Sequence, residues 1–154
     1  MIYKLKAPAK INLSLDVVDK RADGYHNLKS VMHTIPLYDE LEFTKNELNS
    51  LKITTNKPEL CSLENNIVFK AYKAFYENTS VKMQGFDVKI KKNIPDSAGL
   101  AGGSSDAAAV LRSLNALCGK PLTQDALCAI GATLGADIPF CIVGGGSMVT
   151  GIGE

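Results

Sequence analysis

Residues 95–109 read PDSAGLAGGSSDAAA, and the chemistry in that run belongs to the backbone. Gly99, Gly102 and Gly103 carry no side chain that would hold a ligand away from the main chain, and glycine tolerates positive φ. An alanine-rich helical pattern follows at once. The first turn of a helix presents unpaired N–H groups and the positive end of the helix dipole. A bare loop entering a helix is therefore a place where phosphate can sit on main-chain donors. Ser104 and Ser105 add hydroxyls that could reach such an anion or cap the helix, while Ala107, Ala108 and Ala109 keep the first turn thin. A plain flexible turn leading into a capped helix has the same composition. The run is not a Walker A loop, because no Gly-Lys-Ser/Thr follows, and it lacks the GxGxxG of dinucleotide-binding folds.

Two further residues carry side chains that could act beside a bound phosphate. Asp137, in GADIP, could accept a proton from a substrate hydroxyl held within hydrogen-bonding reach. The plainer reading is an aspartate that ends a turn before Ile138-Pro139. Lys10 could keep a nearby carboxylate ionised or steady charge on a transferring phosphoryl group. The plainer reading is a solvated strand lysine.

The elements that must position these residues can be read from periodicity. Residues 2–7 alternate as a short strand, and 11–18 (INLSLDVV) alternate strictly. Ile11, Leu13, Leu15 and Val17 point one way in that reading, and Lys10, Asn12, Ser14 and Asp16 the other, so Lys10 and Asn12 share a polar face. Asp23-Gly24 marks a turn. Residues 28–37 return as a strand, with weaker candidates at 39–44 and 51–55. Residues 67–77 are an amphipathic helix with Asn65 or Asn66 as N-cap, and 85–91 are a strand. Ala107, Val110, Leu111, Leu114, Leu117 and Cys118 form a helical stripe ended by Gly119 and Pro121. Thr123 caps a third helix that stops at Gly135, with Leu122 and Leu127 as a hydrophobic staple. IPFCIV at 138–143 reads as a short buried strand.

Composition bounds the function class. The chain has 154 residues, enough for one domain with a core, and its formal net charge is +1. That balance argues against nucleic acid as a partner; Lys89, Lys91 and Lys92 read as the solvated face of a strand. The four cysteines include no CxxC pair and there are two histidines, His26 and His33, so a zinc site is not expected. Cys118 and Cys128 read as reduced core thiols, which fits a cytoplasmic location. No apolar run reaches membrane-spanning length, and no membrane partner is expected. The chain stops at GGGSMVTGIGE, in the middle of a glycine-rich, hairpin-like segment, and it reads as part of a longer protein.

The run at 95–109 resembles the phosphate loop of the GHMP kinases. APAKINLSLDVVDKRADGYHNLKSV at 7–31, SLENNIVFKAY at 62–72 and LGADIPFCIVGG at 134–145 resemble one branch of that family, whose acceptor substrate carries a cytidine diphosphate (CDP) moiety. The resemblance spans essentially the whole chain. One departure is Ala101, where the family loop often has glycine.

The resemblance implies an α+β fold. It is a two-layer mixed sheet with helices on one side and a left-handed crossover, like the second domain of ribosomal protein S5. It implies that the chain is the N-terminal, ATP-binding domain and that a C-terminal domain completes the site. Lys10 and Asp137 would be catalytic. Pro95, Ser97, Ala98, Gly99, Leu100, Ala101, Gly102, Gly103, Ser104 and Ser105 would bind ATP, with Asn66 near the adenine and Lys92 to Pro95 lining the nucleotide pocket. Asn12, Tyr25 and His26 would bind substrate, the Tyr-His pair reading the cytosine. ATP would arrive with Mg²⁺, for which Ser105 is the nearest candidate ligand. Three alternatives stay open at this point: another GHMP small-molecule kinase, a fragment that binds nucleotide without turnover, and a non-catalytic RNA-binding module of the same fold.

Overall fold

Two long antiparallel strands form the spine of the computed structural model, which describes residues 2–20, 26–57 and 66–151. β1 (Ile2–Lys20) pairs with β2 (His26–Asn46) along almost its whole length. The other edge of β2 is divided between two partners. Its end at 40–46 pairs antiparallel with β4 (Gly85–Lys91), and its start at 28–33 pairs antiparallel with β5 (Gly146–Gly151). β3 (Leu51–Thr55) adds to β4 in parallel and makes the sheet mixed. The helices are α1 (Ile67–Glu77), α2 (Gly102–Leu117), α3 (Gln124–Leu134) and the six-residue α4 (Ile138–Val143).

Alternation along β4 buries Phe86, Val88 and Ile90 and leaves Asp87, Lys89 and Lys91 exposed. The helices cover that apolar face. α1 contributes Val68, Ala71, Tyr72 and Phe75, and α2 contributes Ala107, Val110, Leu111 and Leu114, all buried. Phe43 of β2 meets Phe86 edge-on at 6.3 Å between centroids. Two of the expected caps are in place. Asn66 Oδ1 accepts from Val68 N at 2.9 Å, and Thr123 Oγ1 accepts from Ala126 N at 3.2 Å.

Several expectations are corrected. Segments 2–7 and 11–18 belong to one strand, as do 28–37 and 39–44, because irregularities in β1 at Pro8/Lys10, Asn12/Ser14 and Val17/Asp19 absorb the breaks in alternation without ending the pairing. Leu13, Leu15, Val17 and Val18 are all exposed, so the alternation there does not mark a buried face. Residues 138–143 are helix α4, not a strand. A short apolar run has no diagnostic period, and here Pro139 sits in the first turn while Ile138 and Ile142, one turn apart, are buried beside Gly131. Neither Ser104 nor Ser105 caps α2. The cap is Ala101, in left-handed conformation (φ 57°) with no side-chain bond.

Lys92 is corrected as well. It is buried, not solvated. Its Nζ donates to Asp39 Oδ2 and, at 2.7 Å, to Asp106 Oδ2. Asp39 Oδ1 accepts from Asn93 N at 2.6 Å and Ile94 N at 2.8 Å. The cluster thus ties β2, the exit of β4 and the first turns of α2 together. Burial pushes the Asp106 carboxyl up to about 7, offset in part by the Lys92 ammonium and reinforced by the Asp39 carboxylate. Burial opposes the charge of Lys92, but the two carboxylates outweigh it and hold its pKa above the ordinary lysine value.

Three stability measurements follow from this packing. A Cβ on Gly131 would lie 2.7 Å from Ile138 Cγ2 and 3.1 Å from Ile142 Cδ1. Gly131→Ala should therefore cost about 1–3 kcal/mol in urea unfolding, and an unchanged midpoint would show that α3 and α4 can part freely. Ala101→Gly should be neutral or stabilising by up to ~1 kcal/mol, since it relieves a left-handed alanine; a loss of ~1 kcal/mol, as in a helix interior, would contradict that conformation. Asp106 has a folded pKa of about 7 against an ordinary 3.8. Its contribution is complete below about pH 4 and is lost as pH rises through about 7. The stability of Asp106→Asn relative to the parent should accordingly improve across that range, and parallel pH profiles for the two proteins would refute the shift.

Candidate active site

The glycine-rich loop owes its shape to its backbone. Ser97, Gly99 and Ala101 have φ of 56°, 71° and 57°. Left-handed residues at every second position are a backbone pattern found in anion-binding concavities. The first intrahelical bond of α2 runs from Ser105 N to Ala101 O at 2.8 Å. The N–H groups of Gly102, Gly103 and Ser104 precede it and have no intrahelical acceptor.

Two contacts from β1 hold this loop. Lys10 N donates to Leu100 O at 3.1 Å, and Ser105 Oγ donates to Pro8 O at 2.7 Å. Both flank the irregularity between Pro8 and Lys10, where Ala9 has no partner in the register with β2. The Lys10 side chain lies beside it. Its buried ammonium lies 3.5 Å from Asp137 Oδ2 and 3.4 Å from Asn12 Oδ1. Asp137 stands at the start of α4, its carboxylate about a third exposed. Cys141, one turn further on, is pushed up to about 12 by burial and then by Asp137, so its sulfur stays a neutral thiol and is no nucleophile.

An open groove of about 380 Å³ runs along the loop, lined by Pro95 to Ser104, Lys10, Asp137 and Ile67. A second cavity of about 250 Å³ adjoins it and shares Ile67, Asp96 and Gly103. Ile53, Val68 and Ile90 make its apolar wall, with Thr55, Asn66, Lys92 and Asp106 supplying polar groups. A pocket with an apolar wall, opening onto a groove with free main-chain donors, a buried ammonium and a carboxylate, suits a nucleoside with a phosphate tail.

The structure brings Asp137 from far along the chain to Lys10 and its near neighbour Asn12, and it places Pro95 and Ser97–Ser104 on the groove. Asn66 both caps α1 and lines the cavity. Ser105 is different. Its hydroxyl is buried and turned to Pro8, and it is not on the groove, which leaves its reading as a metal ligand without support. Gly102 has a packing role besides its place on the groove. A Cβ there would meet Ile94 Cγ2 at 3.1 Å and Lys92 Nζ at 3.4 Å, so its bareness seats the helix on the buried cluster. Tyr25 lies outside the described residues, and His26 is described only as the backbone partner of Lys20.

Sequence reasoning missed Asp96, Asp106, Thr55 and Ile53. Asp106 could have been found: it lies one helical turn before Val110 on the buried stripe of α2, where a carboxylate demands a partner. Among the described residues no group of three or more His, Cys, Asp or Glu could hold a metal. Among the described residues no helix is long and apolar enough to cross a membrane.

The family model for the GHMP kinases N terminal domain matches residues 66–145, just over half of the chain. The 4-diphosphocytidyl-2-C-methyl-D-erythritol kinase of Clostridium beijerinckii is 50% identical over 151 residues, which are 98% of this chain and 53% of that protein. The kinase of the same name from Caldicellulosiruptor saccharolyticus is 49% identical over 150 residues, 97% of this chain and 51% of its own. The chain thus spans about half the length of the curated relatives it matches. Among solved structures, a 4-(cytidine 5'-diphospho)-2C-methyl-D-erythritol kinase superposes with a TM-score of 0.82 at 36% identity, covering 99% of this chain and 53% of that one. Methanococcus jannaschii mevalonate kinase superposes with a TM-score of 0.74 at 16% identity, over 100% of this chain and 55% of that one, and so shares the fold. On these matches and this architecture, the chain belongs to the GHMP kinase family.

Proposed function

We propose that the chain is the nucleotide-binding part of an ATP-dependent kinase that phosphorylates the 2-hydroxyl of 4-diphosphocytidyl-2-C-methyl-D-erythritol in the non-mevalonate (MEP) isoprenoid route. The observation that carries this reading is the Lys10–Asp137 pair, 3.5 Å apart on the rim of a groove lined by the N-terminus of α2. The names of the relatives supply the acceptor.

In this reading the adenine occupies the apolar cavity and the phosphates lie along Ser97–Ser104, on the free N–H groups of Gly102, Gly103 and Ser104. Mg²⁺ bound to ATP would neutralise the β- and γ-phosphate oxygens. The acceptor hydroxyl faces Asp137. Its oxygen bonds to the γ-phosphorus as the bond to the bridging oxygen of ADP breaks, and its proton passes to the Asp137 carboxylate. Lys10 holds that carboxylate in place and faces the charge on the phosphoryl group in flight. Asn12 steadies Lys10 and reaches towards substrate, and Tyr25 and His26 read the cytosine. A C-terminal domain completes the acceptor side. The exposed Leu13, Leu15, Val17 and Met148 are the apolar surface that such a domain would cover. The protein works in the cytoplasm.

Turnover separates the possible outcomes. ATP-dependent phosphorylation of 4-diphosphocytidyl-2-C-methyl-D-erythritol by the 154-residue chain, or by a protein of its relatives' full length carrying it, establishes the reading. ATP binding with turnover of a different acceptor alcohol assigns another GHMP activity, and no ATP binding by a folded chain refutes it. Lys10→Ala and Asp137→Ala should each lower kcat about 10²–10⁴-fold with ATP affinity and fold retained; near-normal turnover in either variant removes that residue from the mechanism.

A further inference from the structure

Asp96 is an awkward side chain for a phosphate groove. It lines both the groove and the adjoining cavity, where a carboxylate repels a polyphosphate. Among the described residues Lys10 is the one lysine on the groove lining, which also carries the carboxylates of Asp96 and Asp137. Lys57 changes that balance. It lies just beyond β3, and its Nζ stands 2.5 Å from Asp96 Oδ2. Its backbone is well held. Lys57 N donates to Thr55 Oγ1 at 3.1 Å. The neighbouring Asn56 bonds the main chain of Lys92 twice, accepting from its N–H at 2.7 Å and donating to its carbonyl at 3.2 Å. The hydrogen bond from Lys57 keeps Asp96 below the usual carboxylate range, so its carboxylate is charged when a nucleotide arrives.

We propose that Lys57 is a nucleotide-phosphate ligand parked on Asp96, and that the polyphosphate of an incoming nucleoside triphosphate takes the ammonium over from the carboxylate. The inference rests on the kinase reading above. Both side chains of the pair are partly open to water, with relative exposures of 30% and 45%, and an ion pair of that kind contributes little to the fold. Giving it up is therefore cheap, while a lysine–phosphate bond gains from the higher charge of the polyanion. The flexible stem of lysine lets the ammonium turn towards the groove while the backbone stays fixed. Asp96 competes with the nucleotide for Lys57 and weakens its binding.

The competing account is a strap, in which the pair merely holds the loop against the end of β3. Calorimetric titration of the chain with ATP and with adenosine separates the two, because they differ in sign. Lys57→Ala should weaken ATP about tenfold and leave adenosine unchanged, and Asp96→Asn should tighten ATP several-fold. A strap predicts that both substitutions loosen the loop and weaken ATP alike. That result, or no change in ATP affinity on Lys57→Ala, overturns the proposal. Failure of the parent chain to bind ATP refutes the nucleotide reading itself, and this inference with it, before any variant is compared.

Discussion

The buried contact of Lys92 with Asp39 and Asp106 is the constraint on which the site depends. One ammonium joins a carboxylate from the centre of β2 to a carboxylate from the start of α2. The second oxygen of Asp39 takes the N–H groups of Asn93 and Ile94, which lead into the glycine-rich loop. Charges this deep in a protein are costly unless each is paired. Loop entry and helix start cannot drift apart without separating them. Gly102 lets the helix settle directly over the cluster. The first turn of α2, whose free N–H groups form the phosphate end of the groove, is thereby fixed relative to the sheet.

A second constraint comes from an interruption in β1. A regular strand would give Pro8, Ala9 and Lys10 to the ladder with β2. Ala9 has no partner in the register there, and on either side of it the carbonyl of Pro8 and the N–H of Lys10 bind Ser105 and Leu100. Irregularities of this kind commonly re-aim a side chain beside an active site. Loop position and lysine position therefore come from one local feature, and Asp137 is brought to it by the turn from α3 into α4.

The two cavities divide the work by polarity. The one against β3 and α1 is walled by Ile53, Val68 and Ile90, and the groove along the loop offers main-chain donors, Lys10 and Asp137. Asp96 and Gly103 belong to both, so a ligand with a flat apolar end and an anionic tail can occupy them together.

Much of this was legible before any coordinates. Periodicity located α1, α3, β3 and β4, since an amphipathic helix or a half-buried strand writes its burial into its own sequence. The glycine-serine-alanine run declared a helix N-terminus open to an anion, and its match to a known family pointed to Lys10 and Asp137. Three things were not legible. IPFCIV has no period that distinguishes a helix from a strand, and only the packing of Ile138 and Ile142 on Gly131 decides it. The interruptions in β1 depend on the partner strand and the loop above it. Lys92 follows two exposed lysines and looks like a third, because a lysine is buried only when its counter-charges are, and those come from positions 39 and 106. Local sequence determined the elements and the bare loop; the tertiary structure alone decided which charges meet, because ion pairing and register are properties of segments brought together, not of neighbours along the chain.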